Sequence, residues 1–461
     1  MSFSLSTDTM AAIATAPGEG AIAVVRLSGP ETYALADRLF RCPSPPPSGR
    51  ATGTFVHGQV CEPATGEVID DALLLVFKAP RSYTGEDAVE IHCHGGSQSA
   101  RRILDALLHA GARPAGPGEF TKRAFLNNKL DLTQAEAVLD LIHARSERAA
   151  RLAAAQLENA LGIRIRALYD ALLAASADTE ALLDFPDDEL PQGVTSEIKD
   201  RVDVLSRDLR ALLGTWSEGH VLRDGARIVI AGAPNVGKST LLNRLAGRER
   251  AIVSPHAGTT RDIIEESVTL HGYPFHLSDT AGLREAPCEI EQEGIRRTHL
   301  ALAEADLCLY LVDASQPLSE AETAFIRSHD PQRILVLANK TDLGNRLFSK
   351  EVADFQILGL SAQQDPSMEP LIDAMLAKLH LTSGSGHQEG VAVSRRHKDS
   401  LSIALEEITQ TSILLSDGRE PSFLPAATHL RSATEQVGFI FGKDCTDEML
   451  NTLFSRFCVG K

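Results

Sequence analysis

Residues Gly232-Ala-Pro-Asn-Val-Gly-Lys-Ser239 place two glycines, a lysine and a hydroxyl at the spacing of a phosphate cradle. In such a loop successive backbone N–H groups and a helix N-terminus point at one anion. Lys238 would reach the β- and γ-phosphates, and the Ser239 hydroxyl would ligate Mg²⁺. The elements needed to hold that loop flank it. The apolar run Arg227-Ile-Val-Ile-Ala231 predicts a strand before it, and Thr240-Leu-Leu-Asn-Arg-Leu-Ala246 predicts a helix after it. Asn235, Val236, Gly237, Lys238, Ser239 and Thr240 are therefore expected to line a nucleotide.

A second group follows two buried-strand patterns, Leu307–Val312 and Arg333–Ala338, the latter running into Asn339-Lys-Thr-Asp342. The Asp342 carboxylate can accept from N1–H and the 2-amino group of guanine; adenine offers neither and would leave a desolvated carboxylate unpaired. Ser361-Ala362, after another short apolar run, fits the loop that backs the base. As an isolated tetrapeptide, Asn-Lys-x-Asp is usually an ordinary polar turn. Between the two groups, Thr259-Thr-Arg-Asp262 would present Thr260 to Mg²⁺. In Asp279-Thr-Ala-Gly282, Asp279 would hold a Mg²⁺-bound water and the Gly282 N–H would sense the γ-phosphate. Four motifs in this order, each after a plausible strand, predict a Ras-like P-loop domain that binds and hydrolyses GTP.

The position after that glycine, glutamine in Ras-like proteins, is Leu283, which has no polar atom to orient water. Glu285, Glu289, Glu291 and Glu293 lie just beyond; any one of them also reads as part of a solvated face. No residue identifies itself as an arginine finger. Asn235, with Ser254-Pro-His-Ala-Gly-Thr259, offers oxygen ligands that suit a weakly held hard cation such as K⁺.

The rest of the chain divides by composition. Residues 1–120 predict a mixed α/β domain, with strands at Ala21–Leu27, Ala72–Phe77 and Ala88–Cys93, a surface loop at Pro43–Pro47 and an amphipathic helix from Arg101 to His109. Glu90 in an otherwise apolar strand needs a partner or ligand, or else lies on the exposed face. His92 and His94 share a face with no other ligands in view, which argues against metal. From Thr133 to Leu222 the chain is rich in Ala, Leu, Glu and Arg, with Leu157, Leu161, Leu168 and Leu172 as a helical stripe. Asp184-Phe-Pro-Asp-Asp188 reads as a turn, and helices resume near Arg395 after Thr382–His387. The expected fold is multidomain α/β plus all-α: an N-terminal domain (1–120), a helical bundle in two parts (121–222 and 384–461) and a GTPase domain (223–383) inserted into it.

Forty-five basic against 62 acidic side chains give a net charge of −17, unfavourable for a free-standing RNA binder. Seven cysteines without Cys-x-x-Cys spacing argue for a reducing compartment and against structural zinc. No run approaches ~18 uninterrupted apolar residues, and the N-terminus lacks a signal-peptide pattern. A soluble cytoplasmic protein with no membrane partner is expected.

The chain resembles the TrmE/MnmE family of tRNA-modification GTPases from end to end. The resemblance is carried by Arg26-Leu-Ser-Gly29, Tyr83-Thr-Gly-Glu-Asp87, His94-Gly-Gly96, Pro117-Gly-Glu-Phe-Thr-Lys-Arg-Ala-Phe-Leu126, Lys129-Leu-Asp-Leu132, Asp184-Phe-Pro-Asp187, the four GTPase motifs, and Cys458-Val-Gly-Lys461 after Phe454-Ser-Arg-Phe457. The family usually has Ile at the place of Val459. The resemblance implies K⁺-dependent GTP hydrolysis in a homodimer whose GTPase domains meet face to face. It assigns Asn235, Ser254, His256 and Thr259 to K⁺, Ser239 and Thr260 to Mg²⁺, and Glu291 to orienting water. The nucleotide contacts it implies also take in Pro255, Ala257, Gly258, Thr280, Ala281, Lys340 and Thr341. Arg26, Glu90, Lys129 and Lys461 fall on the positions that contact 5-formyltetrahydrofolate, with Cys458 nearby as either a nucleophile or a structural thiol. The implied partner is the flavoprotein MnmG (GidA), carrying FAD and NADH, in a heterotetramer that adds a carboxymethylaminomethyl or aminomethyl group to carbon 5 of the wobble uridine of certain tRNAs. A ribosome-assembly GTPase acting as an RNA checkpoint is the competing reading. A third treats the N-terminal domain as a dimerisation platform only.

Overall fold

A computed structural model describes residues 8–184, 193–247, 265–279, 302–344, 352–381, 390–417 and 420–461. The chain forms two compact units, Met1–Leu139 with Val437–Lys461, and Asp140–Gln436.

The first unit is built on a seven-stranded sheet. Its strands are β1 (Met10–Ile13), β2 (Ile22–Ser28), β3 (Phe40–Arg41), β4 (Thr54–Cys61), β5 (Val68–Phe77), β6 (Ala88–His94) and β7 (Arg113–Pro114), in the spatial order β3-β4-β5-β6-β2-β1-β7. Strand alternation sorts its faces. Ala72, Leu74 and Val76 of β5 are buried with Val25, Leu27, Val89 and Ile91 beneath the helices α1 (Thr32–Leu39) and α2 (Ser97–His109). The intervening positions lie on the opposite face, where Phe55 is 70% and Ile22 62% exposed. On the other face of β1, α3 (Glu119–Leu126) covers Met10 and Ala12 with Phe120. The helix α4 (Leu132–His143) packs Leu132 and Ala135 against Leu450, Phe454 and Phe457 near the C-terminus.

The second unit contains a six-stranded sheet in the order β13-β12-β11-β8-β10-β9. The strands are β8 (Ala226–Gly232), β9 (Glu265–Leu270), β10 (Tyr273–Asp279), β11 (Leu307–Asp313), β12 (Ile334–Asn339) and β13 (Ile357–Gly359), all parallel to their neighbours except β9. The apolar runs at β8, β11 and β12 are buried on both faces, as a parallel sheet between helices requires.

Before this sheet in the chain come α5 (Glu147–Leu157), α6 (Ala160–Asp184), α7 (Val194–Gly214) and α8 (Trp216–Asp224). Ala149 of α5 and Val221 and Leu222 of α8 join the sheet's core, and α6 packs on α7. The expected leucine stripe spans two helices rather than one. Leu157 ends α5, Asn159 adopts a left-handed backbone (φ 71°), and Leu161, Leu168 and Leu172 are buried on α6. Asn tolerates that conformation where β-branched residues do not. After the sheet, the chain returns to the helices: Ser412 on the helix Arg395–Asp417 donates to Asp203 of α7 at 2.7 Å, and Gln156 donates to the Ala392 carbonyl.

Two contacts tie helices to the sheet. Arg148 of α5 pairs with Glu218 of α8 and lies 4.4 Å from the centroid of the Tyr273 ring at the start of β10. His220 of α8 bonds to Asp224 at 2.9 Å and faces Asp306, just before β11, at 3.6 Å. Hydrogen bonding to Asp224 and then to Asp306 outweighs burial and raises His220 to about 9. Among the described residues no helix is long and apolar enough to cross a membrane.

Candidate nucleotide and N-terminal ligand sites

The phosphate loop emerges from β8 and enters the helix α9 (Lys238–Ala246), one residue pair earlier than sequence patterning placed the helix. Its turn depends on backbone that only certain residues adopt: Asn235 has φ 59° and Gly237 φ 102°. A Cβ at Gly237 would sit 2.3 Å from Asn339 Nδ2, so glycine is required for the loop and the base-side motif to touch. Val236 is buried, Asn235 and Ser239 are exposed, and the buried Lys238 ammonium donates to the Gly232 and Ala233 carbonyls at 3.1 and 2.8 Å. The N-cap residue Gly237 supplies no side-chain cap to α9, and a helix N-terminus of this kind suits an anion.

Asn339 fastens the base side to this loop. Its Nδ2 donates to the Val236 carbonyl at 2.6 Å and its Oδ1 accepts from the Ala362 N–H at 2.8 Å, with the side chain buried. Ser361 is buried, and its N–H donates to Asp365; Arg244 of α9 reaches the carbonyls of Ala362 and Asp365. Lys340 (φ 64°) turns its ammonium to Asp313 at 2.8 Å. Burial would raise the Asp313 carboxyl, but Lys340 and Ser315 hold it below the ordinary carboxylate range. Thr341–Leu343 form a short turn that presents an exposed Asp342. The structure thus brings together Asn235, Val236, Gly237, Lys238, Ser239, Asn339, Ser361 and Ala362, with Thr240 one residue further along α9. The backbone of Asp279 ends β10, in register with Ile230 of β8. Ser254, Pro255, His256, Ala257, Gly258, Thr259, Thr260, Thr280, Ala281, Gly282 and Glu291 lie outside the described residues.

In the first unit, Arg26 and Glu90 are cross-strand partners on the face of β2 and β6 opposite α1 and α2, with Ala12 of β1 beside Arg26 and under Phe120 of α3. Arg26 Nη2 meets Glu90 Oε1 at 2.7 Å; both side chains are largely buried. The guanidinium lies 5.6 Å from the Tyr83 ring centroid and 5.5 Å from that of Phe120, and Nη1 donates to the Gly460 carbonyl at 3.3 Å. Gly460 (φ 95°) fits there because a Cβ would clash with the Ile13 carbonyl at 2.5 Å. Glu90 has the partner that its place in an apolar strand requires, and it is not on an exposed face, since its side chain is largely buried. His92 and His94 take Glu90 and Asp70 as partners. Lys129 donates to the Pro80 carbonyl at 3.1 Å. The Cys458 carbonyl accepts from Gly118 N–H, with its side chain exposed.

A family profile described as the MnmE helical domain matches residues 132–458, and one described as the GTP-binding protein TrmE N-terminus matches residues 9–129. The tRNA modification GTPase MnmE of Geobacter metallireducens is 40% identical over 98% of the chain and 99% of its own length; that of Clostridioides difficile is 37% identical over 98% and 99%. The chain belongs to the MnmE family of tRNA modification GTPases. It is accordingly a GTP hydrolase of that family. The G domain of the T. maritima FeoB iron transporter covers 33% of the chain and 98% of its own length at 22% identity, with a TM-score of 0.26, too low to carry weight.

Within this MnmE-family chain, motif reading missed residues that act through others. Arg123 is buried among Asp8, Glu86 and Glu119. Burial would raise Glu119, yet Arg113, the Gly116 N–H and Arg123 hold its carboxyl low. This network braces α3, and hence Phe120, beside Arg26. Asp313 was missed too, because one aspartate ending an apolar strand carries no spacing signal.

Proposed function

We propose that the chain is a K⁺-stimulated GTPase that, with a flavoprotein partner carrying FAD and NADH, installs a carboxymethylaminomethyl or aminomethyl group on carbon 5 of the wobble uridine of certain tRNAs. The observation that carries this reading is full-length family membership combined with an exposed Asn235 held in left-handed backbone at the phosphate-loop apex. An exposed amide oxygen there fits a hard, weakly held cation, and the hydroxyl of Ser239 at the start of α9 fits Mg²⁺. Ser254, His256 and Thr259 would complete the K⁺ ligands and Thr260 those of Mg²⁺; Glu291 would orient water in place of the glutamine that Leu283 lacks. Each ion, when bound, supplies positive charge against phosphate oxygens. Lys238 and the α9 N-terminus bind and orient those oxygens.

The N-terminal residues fit a reduced folate. A carboxylate at Glu90 can pair with the pterin N3–H and 2-amino edge, Tyr83 and Phe120 offer ring faces, and Arg26, Lys129 and Lys461 offer charge to an anionic tail. The exposed Phe55, Leu73 and Ile22 on the sheet face opposite α1 and α2 suit a second copy of this chain, giving a homodimer. Insertion of the GTPase domain into the helices would transmit its motion to a rigid body, and a cytoplasmic setting would supply tRNA and the flavoprotein. GTP turnover of the full chain in KCl against NaCl tests the cation. Turnover falling at least tenfold in NaCl is expected; equal rates would overturn the K⁺ mechanism. Normal wobble uridines in tRNA from a strain lacking the protein would overturn the modification reading in favour of an RNA checkpoint.

A further inference from the structure

We infer that Asp313 is a positioning residue for guanine recognition, keeping the Lys340 ammonium away from the carboxylate that reads the base. The inference rests on the reading of Asp342 as that carboxylate. Strands β11 and β12 are parallel, with Asp313 opposite Asn339, so both strands end at the same edge of the sheet. Lys340, the next residue, has a left-handed backbone (φ 64°), and its side chain reaches Asp313 Oδ2 at 2.8 Å. The other oxygen, Oδ1, accepts from the Ser315 N–H at 3.0 Å and the Ser315 hydroxyl at 2.6 Å. Both oxygens are engaged, so the carboxylate offers the ammonium one fixed position. A further bond, Ala314 N–H to the Asn339 carbonyl at 2.8 Å, locks the two strand ends together.

Asp342 lies two residues after Lys340, in a turn closed by the Leu343 N–H donating to the Lys340 carbonyl at 3.0 Å. With Asp313 neutralised, a released ammonium has Asp342 as the carboxylate of its own turn. Pairing there would occupy the oxygens that must accept from guanine N1–H and the 2-amino group. Asp313 therefore acts in two ways: it anchors the first residue of the recognition turn, and it satisfies the cation that would otherwise compete with the base.

The test is nucleotide binding to the full chain, with GDP and inosine diphosphate, which lacks the 2-amino group. Asp313→Asn is expected to weaken GDP binding roughly tenfold, the scale of one loosened charge-assisted bond. It should weaken inosine diphosphate binding less, so that the preference for GDP shrinks several-fold. A general loss of structure would lower both affinities alike and leave the preference intact. Lys340→Met is expected to be non-additive with Asp313→Asn, the double variant binding no more weakly than Lys340→Met alone. An unchanged preference in Asp313→Asn, or additive losses in the double variant, would overturn the inference. Asp342→Asn separates the two readings: it should abolish the preference for GDP by itself. If it does not, the assignment of the base site fails; if it does while Asp313→Asn leaves the preference unchanged, only the role of Asp313 fails.

Discussion

The nucleotide region and the Arg26–Glu90 region are assembled from very different distances along the chain. On the nucleotide side, the phosphate loop, the Asn339 turn and the Ser361 loop each follow a strand of one parallel sheet, so each motif is complete within a few residues. In the N-terminal unit, Arg26 bonds to Glu90 and to the carbonyl of Gly460, 434 positions away in sequence. The first site is a set of local motifs held in register by a sheet. The second exists only where distant segments meet. The lesson is that a backbone-built anion site survives in short sequence, whereas a side-chain-built site on a sheet face does not.

The largest expected effect lies on the nucleotide side. Asn339→Ala deletes a buried amide that bonds both the Val236 carbonyl and the Ala362 N–H, leaving two buried groups without partners at a cost of about 1–3 kcal/mol each. GDP affinity measured by fluorescence titration should fall by about a hundredfold or more. A drop of less than threefold would mean that the three loops are not held together through this residue.

The next test addresses the other region. Arg26→Ala leaves the largely buried Glu90 carboxylate with His92 as its remaining partner, removes the contacts with Tyr83 and Phe120, and frees the Gly460 carbonyl. Chemical denaturation should show a loss of about 2 kcal/mol, and Glu90→Gln a smaller one. Titration with 5-formyltetrahydrofolate should lose saturable binding in Arg26→Ala, while GDP affinity stays within twofold of the parent. A matching loss of GDP affinity would erase the contrast between the two regions.

The smallest effect concerns the junction that carries α8 into the nucleotide sheet. His220 titrates near 9 in the folded chain, above its unfolded value of about 6.5. Its pairing with Asp224 and Asp306 therefore stabilises fully below about pH 6.5, and that stabilisation disappears as pH rises through about 9. Solvent screening limits the change to about 1 kcal/mol. Denaturation midpoints at the two ends of this range should differ in the parent and converge in His220→Gln. An unchanged pH slope in the variant would remove His220 from the junction.

Legibility followed the same division. The loop of Lys238 and Ser239 and the Asn339 turn were readable because a strand–loop–helix turn and the bonds that tie neighbouring loops together need fixed residue types at fixed spacing. The parallel strands β8, β11 and β12 were readable because burial on both faces demands unbroken apolar runs. Helix limits were less so: the apolar period continues through Leu157 and Leu161, and the break at Asn159 is a backbone event with little signature in hydropathy. Glu90 stood out as an anomaly, but nothing in the sequence named Arg26 as its partner. Arg123 gave no sign of burial, since a basic residue on a helix ordinarily faces solvent and becomes buried only where Asp8, Glu86 and Glu119 converge.

Sequence alone determined the family, the order of the loop motifs and the strands they follow, because those depend on short-range geometry and on the polarity of each strand. Tertiary structure decided which carboxylate holds which cation: Asp313 for Lys340, Glu218 for Arg148, Glu90 for Arg26. Such pairs form wherever folding places opposite charges within about 4 Å in partly desolvated surroundings, and no local spacing records that meeting.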